Sequence, residues 1–361
     1  MASRVLLVVG SPLLNAGVPN VIMSIVRQLY SKYTFDVLCL SEEEGYYDAE
    51  FQSYGGVIYR MTTVDYSQHK LRFSQRMLQI GRKVSCLLKQ RDYAVIHCHC
   101  GIDAGICLAV GKQHGVKVRI AHAHGTYIRK GRNLLLRFYN WLNKGIIVMC
   151  STNRLACSEI AGKTLYLGKE FDNVLNPIDV EYYRSVEKKE HCGLQLMQIG
   201  YFCKNKNQLF SLHIVNELLA RGVDVAIRFI GFEVETGYFA EMQEYIMENG
   251  LVDHVTFLPP DVDKRKHLEE VDYTVVPSES EGLPLVALES QAANVPCVLS
   301  NNVPVDVNMG LAYYLPIDSV DAWVEFFTSP KSTKSKLNSR IFQLEPHKFA
   351  EKIGQAYECA R

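Results

Sequence analysis

The chain has 361 residues, 48% hydrophobic and 22% charged, with 39 Lys and Arg matched by 39 Asp and Glu. That length exceeds what a single core usually organises and points to two domains. The ordinary composition excludes a disordered or collagen-like chain, and no apolar run approaches the length of a membrane span. The zero net charge hides a bias: residues 1–172 carry 22 Lys and Arg against 12 Asp and Glu, and the remainder 17 against 27. A basic first half suits an anionic partner such as a membrane surface or a phosphorylated acceptor, with a chance imbalance as the alternative.

In chain order, "RVLLVVG" reads as a buried strand, followed by the loop "SPLLNAGVPN" and the helix "VIMSIVRQLYSKY". Its apolar run is short and lacks a cleavage pattern, so a first strand is expected there and not a signal peptide. Strands "FDVLCL" and "GGVIYR", a helix around 70–91, strand "YAVIHCH", helix "AGICLAVGKQHG" and strand "VKVRIAHAHG" follow. The polar stretch 176–193 reads as a hinge. The alternation then restarts with "LQLMQIGY", a helix ending at Gly222, "VDVAIRFIG", a helix over "YFAEMQEYIMENG", "VTFLP", a short helix over "DKRKHLEEV" and "YTVVPS". Short buried strands with crossover helices imply two Rossmann-like, doubly wound parallel sheets. The eleven cysteines are scattered, with no C-x-x-C pair, as in a reduced cytoplasm.

The segment 277–300, "PSESEGLPLVALESQAANVPCVLS", concentrates the chemistry. Glu281 and Glu289 stand eight positions apart, and Pro284 is expected in a first helical turn, where its missing N–H costs nothing. The backbone N–H groups of Gly282, Leu283 and Leu285, at the positive end of the helix dipole, then offer a diphosphate site. Eight helical residues span roughly 12 Å, comparable to the sugar-to-ribose distance of a nucleotide-sugar. By spacing alone, a surface helix with ordinary exposed glutamates explains the pattern as well.

This segment resembles the E-x7-E region of the retaining glycosyltransferases of family four. "ACSEIAGKTLYLG" (156–168), "NPID" (176–179), "GYFCKNKNQLF" (200–210) and "VTFLPPDVDK" (255–264) are similar to family landmarks in the same order. "GLAYYLPIDSVDAW" (310–323) resembles a stretch of the subgroup that builds bacterial exopolysaccharide and capsule. The resemblance implies the GT-B fold, two Rossmann-like domains facing across a cleft. Residues 1–175 would form the acceptor domain and 176–340 the donor domain, with a last helix in 341–361 returning to the first. It also implies roles for single residues. Glu281 contacts the transferred sugar, Glu289 the ribose, and Lys206 the diphosphate leaving group. Gly17 admits close approach of phosphate or acceptor to the first helix. His122 faces the sugar from the first domain, with His124 as the competing histidine. No metal or other cofactor is expected.

Three departures stand out. Tyr201 replaces the arginine usual after the strand-end glycine, leaving Lys204 as the alternative second cation; "NAGVP" has one glycine where two are usual; and no second glycine follows Gly231. "DVD" at 261–263 imitates a metal-binding pair, but Asp263 reads better as a helix cap. "HCHCG" at 97–101, with His122 and His124, lacks metal-ligand spacing, and residues alternating on a strand are not expected to converge on one ion. The stretch 127–145 mixes basic and aromatic residues and suits either an interfacial helix or a core helix with a basic rim. No nucleic-acid-binding module appears. The expectation is a metal-independent transferase moving a sugar from a UDP- or GDP-sugar to a lipid-linked saccharide. It would lie in the cytoplasm, peripheral to the inner face of the membrane. An inactive transferase-like partner and a nucleotide-sugar epimerase are the alternatives.

Overall fold

The computed structural model describes residues 3–15, 17–61, 72–125, 134–329 and 336–359. The chain divides into two units, Met1–Pro177 with Glu345–Arg361, and Ile178–Leu344. The second boundary falls after the short 3-10 segment Ser339–Leu344, whose Leu344 carbonyl accepts the Ile178 N–H at 3.0 Å. That bond keeps residues 341–344 in the second unit.

The first unit contains β1 (Ser3–Val9), α1 (Gly17–Leu29), β2 (Tyr33–Cys39), α2 (Asp48–Ser53), β3 (Ile58–Arg60) and α3 (Arg72–Gln90). It continues through β4 (Val95–His99), α4 (Ala104–Gln113), β5 (Val118–Ala123), α5 (Leu134–Cys150), β6 (Asn153–Ala156), α6 (Glu159–Leu165) and β7 (Asp172–Asn173). Its seven-stranded sheet has the order β3-β2-β1-β4-β5-β6-β7, with parallel pairing throughout. The second unit holds α7 (Val180–Arg184), β8 (Leu194–Ile199), α8 (Gln208–Ala220), β9 (Val225–Ile230), α9 (Tyr238–Glu248) and β10 (Val255–Leu258). Then come α10 (Lys264–Leu268), β11 (Tyr273–Val276), α11 (Leu285–Ala292), β12 (Cys297–Ser300), β13 (Ala312–Leu315) and α12 (Val320–Thr328). Its parallel sheet runs β10-β9-β8-β11-β12-β13. Finally α13 (Pro346–Glu358) closes the first unit.

Strand order reverses between β1 and β4 in one sheet and between β8 and β11 in the other. Doubly wound sheets bind ligands at such points, outside the carboxyl ends of the strands. The buried strands, such as Val5–Val9, are continuous apolar runs because both sheet faces are covered. The hinge expected at 176–193 is not wholly irregular, since α7 forms inside it. Asp179 caps α7 by accepting the Tyr182 N–H at 2.9 Å. In the first unit α13 buries Phe349, Ile353 and Tyr357 in the same core as Ile22 and Val26 of α1.

Asp36 on β2 is fully buried. Arg4 donates to it at 2.9 Å, the Tyr93 hydroxyl at 2.7 Å and the Val57 N–H at 3.0 Å. A buried carboxylate survives only with such partners, and removing it strands a donor at the sheet interior. Asp36→Ala should cost about 3 kcal/mol of unfolding free energy, read as a lowered urea midpoint with secondary structure retained.

Candidate active site

In the second unit the loops after β8 and β11 are stitched side by side. The Asn205 amide donates to the Ser280 carbonyl at 3.0 Å, and the Glu279 N–H donates to the Asn205 carbonyl at 2.8 Å. Asn207, left-handed at φ 58°, donates to the Pro277 carbonyl at 3.3 Å. Gln198 holds the Lys206 carbonyl at 2.6 Å and is itself fixed by Ser211 at 2.7 Å. The result is a contact between Lys206 Nζ and Glu281 Oε1 of 2.5 Å, with Ser278 Oγ donating to the same carboxylate oxygen at 2.7 Å. Gly200 has φ +152°, a backbone conformation that favours glycine, and the Lys206 stem passes beside it.

The segment before α11 differs from the sequence expectation. Pro284 is the N-cap, with φ −69° and ψ 110°, and the helix starts at Leu285. A residue preceding proline is forced out of the helical region, so Leu283 cannot begin the helix. Glu281 to Pro284 is therefore non-helical, and the helical rise applies only from Leu285 onward.

Glu289 lies within α11 and is buried. Lys264, at the start of α10, donates to its carboxylate at 3.0 Å. Tyr183 of α7 also bonds it, and burial, reinforced by the Glu289 charge, pushes the Tyr183 hydroxyl well above its usual range. Neither Lys264 nor Tyr183 was picked out from the sequence. The Asp263–Lys264 step in "DVDK" and the apolar pair in "VEYYR" are the only signals that mark them. Asp263 itself caps α10, accepting the Arg265 N–H at 3.1 Å. Tyr201 packs its ring edge-on against Phe232, centroids 5.0 Å apart, so no cation stands at that position. The exposed Lys204 ammonium lies 4.0 Å from Glu241 on α9.

In the first unit the histidines contradict the expectation that they do not converge. His97 pairs in register with Ile120, so His97 and His99 of β4 share a sheet face with His122 of β5. Convergence comes from two adjacent strands, each alternating, and not from one. Nitrogens of His97, His99 and His122 lie within 4.8 Å of one another. In the structure they bond one another: His97 Nε2 and His122 Nδ1 are 3.3 Å apart, His99 Nδ1 and His124 Nε2 2.8 Å. His97 Nδ1 meets the Tyr357 hydroxyl of α13 at 2.9 Å. Burial drives His97, His99 and His122 well below the ordinary histidine range and His124 down to about 4, so all four are neutral near pH 7. Gly17 opens α1 at φ +41° with open space beside it.

Comparison with known proteins agrees with this architecture. The family "Glycosyltransferase Family 4" matches residues 16–165, and "Glycosyl transferases group 1" matches 180–308. The putative glycosyltransferase EpsF of Bacillus subtilis is 27% identical over 329 residues, 86% of this chain and 83% of that protein. The capsular polysaccharide biosynthesis glycosyltransferase CapH of Staphylococcus aureus is 26% identical over 295 residues, 78% and 76% of the two chains. An Escherichia coli UDP-Gal:alpha-D-GlcNAc-diphosphoundecaprenol alpha-1,3-galactosyltransferase is 24% identical over 250 residues, 60% and 59%. Among solved structures, Anabaena Alr3699/HepE in complex with UDP superposes with a TM-score of 0.74 at 12% identity, over 99% of both chains. The fold is the two-domain α/β GT-B fold.

The buried histidines make stability depend on pH. Each is neutral when folded, whereas in the unfolded chain it protonates near pH 6.5, so acid favours unfolding. Their contribution is complete above about pH 6.5 and is lost as pH falls toward the folded values. Urea midpoints between pH 4.5 and 8 should drop below about pH 6.5, and His99→Asn should flatten that slope. An unchanged slope in the variant contradicts the assignment.

Proposed function

As the chain belongs to the glycosyltransferases of family four, we propose that its donor is a nucleoside-diphosphate sugar, of the UDP or GDP type. The acceptor in this reading is a lipid-linked saccharide, and the product a bacterial exopolysaccharide or capsule. The Lys206–Glu281 contact carries this reading. When the glycosidic bond breaks, negative charge grows on the diphosphate, and a fixed ammonium lowers that barrier directly. Lys206 then supplies the charge that a metal would otherwise bring. Glu281 accepts from the sugar hydroxyls, the amides of Gly282, Leu283 and Leu285 receive phosphate oxygens, and Glu289 takes the ribose hydroxyls in place of Lys264. His122 is the group of the first unit assigned to the reacting sugar. Among the described residues the first unit offers no obvious carboxylate nucleophile, so retention by front-face attack through an oxocarbenium-like state is the mechanism proposed. The UDP complex of the Anabaena neighbour and the diphosphoundecaprenol acceptor of the E. coli relative support the donor and acceptor classes. Neither an inert partner nor an epimerase is favoured, because the relatives named by reaction are transferases.

We further propose that the protein works at the cytoplasmic membrane face through its first unit. Among the described residues no helix is long and apolar enough to cross a membrane. On α5, however, Phe138, Trp141, Leu142 and Met149 are exposed, and their spacing puts them on one helix face. The rings of Phe138 and Trp141 stack at 5.9 Å. Such a stripe, with Arg137 exposed beside it, suits an anionic interface. Residues 126–133, the basic start of this stretch, lie outside the described residues.

With a panel of UDP- and GDP-sugars and a lipid-diphosphate acceptor, Glu281→Gln and Lys206→Ala should each lower kcat by about 100-fold or more while the fold persists. Full transfer activity in Glu281→Gln sinks the assignment. Phe138→Ser with Trp141→Ser should abolish flotation with anionic vesicles and leave turnover of a detergent-solubilised acceptor intact; flotation that persists removes α5 from the interface.

A further inference from the structure

The face of β4 opposite the histidines carries a second cluster. By alternation Cys98 lies on the other side of the sheet from His97 and His99, and Cys100 follows just past the strand end. Gly101, at φ +58°, starts the 3-10 turn Gly101–Asp103 that reverses the chain into α4, and α4 brings back Cys107. The three Sγ atoms lie within 4.8 Å of one another. All three are free thiols, and the cluster they form is buried.

We propose that Cys98, Cys100 and Cys107 form a three-sulfur binding site for a soft, trivalent thiophilic centre of the arsenite type. Thiolate ligands select soft ions, and three sulfurs alone leave tetrahedral zinc one ligand short. Charge decides further. Three thiolates around a trivalent centre are neutral, whereas a divalent ion leaves a net negative charge in a buried place, which is costly. The neighbouring Asp103 carboxylate, paired with Arg76 at 2.6 Å, offers no relief for such a charge. The exchange balances without redox chemistry. Three As–OH bonds of arsenous acid break, three As–S bonds form, and each hydroxide leaves as water with the proton of one thiol.

The test uses the full chain, reduced with a phosphine and titrated with sodium arsenite. Native mass spectrometry counts bound arsenic, and near-ultraviolet absorption reports As–S bonds. One arsenic per chain is expected, with a raised melting temperature by mass action. Cys98→Ser and the near-isosteric Cys107→Ser should each weaken binding by about 100-fold, through loss of one arm of the chelate. Cys297→Ser, a buried lone thiol of the second unit, should bind as the parent does. Absence of binding in the parent, or undiminished binding in a folded Cys107→Ser variant, overturns the proposal. Neither result depends on transferase activity.

Discussion

The ammonium of Lys206 and the carboxylate of Glu281 meet in a partly buried place, at a distance that two separate loops must agree on. Each loop leaves the carboxyl end of a strand beside the reversal of the sheet, β8 for one and β11 for the other. A charge pair taken out of water contributes little net stability and often costs some. The hydrogen bonds from Asn205, Asn207, Gln198 and Ser211 therefore serve to hold the pair in position more than the pair holds the loops. Such an arrangement makes sense where a further anion is to arrive. The ammonium can then face a phosphate without first being collected from solvent, and no reorganisation is required at the moment of bond breaking.

Glu289 shows the same economy in a different form. It is anchored between a lysine from α10 and a tyrosine from α7, two short helices far apart in sequence. A glutamate eight residues after another is common on any exposed helix. What distinguishes this one is burial together with two partners, and both are tertiary facts. The proline at the head of α11 completes the geometry. The helix begins only at Leu285, and the restriction that proline places on the residue before it keeps Leu283 outside the helix.

The alternation of strands and helices was plain in the sequence because buried parallel strands are continuous apolar runs, and both sheets follow from it. The Asp263 cap was also available from local chemistry, whereas Glu281 and Lys206 were singled out by the resemblance, and the structure shows that their side chains meet. The histidine array was misread for a definite reason. Spacing within one strand says nothing of its neighbour, and the adjacency of β4 and β5 in register sets His99 beside His122. Lys264 and Tyr183 were hidden in the same way, because their significance lies in a carboxylate that is distant in sequence. Pro284, expected within the first turn, stands one step before it as the N-cap; the restriction it places on its neighbour accounts for Leu283 being outside the helix.

The histidine array has one further consequence, which follows from counting protons. A neutral imidazole has one N–H and one acceptor nitrogen. If the Tyr357 hydroxyl donates to His97 Nδ1, then His97 Nε2 carries the proton and donates to His122 Nδ1, and His122 Nε2 must be the N–H. If Tyr357 accepts instead, every member of the chain reverses, and His122 Nε2 becomes a bare lone pair. Among the described residues that outermost nitrogen has no protein partner. Burial keeps both rings neutral, so the chain Tyr357–His97–His122 has these two settings and no charged compromise, while His99 and His124 pair separately. The direction of the Tyr357 hydrogen bond, on the helix that closes the first unit, is thus linked to whether His122 Nε2 carries a proton or a lone pair.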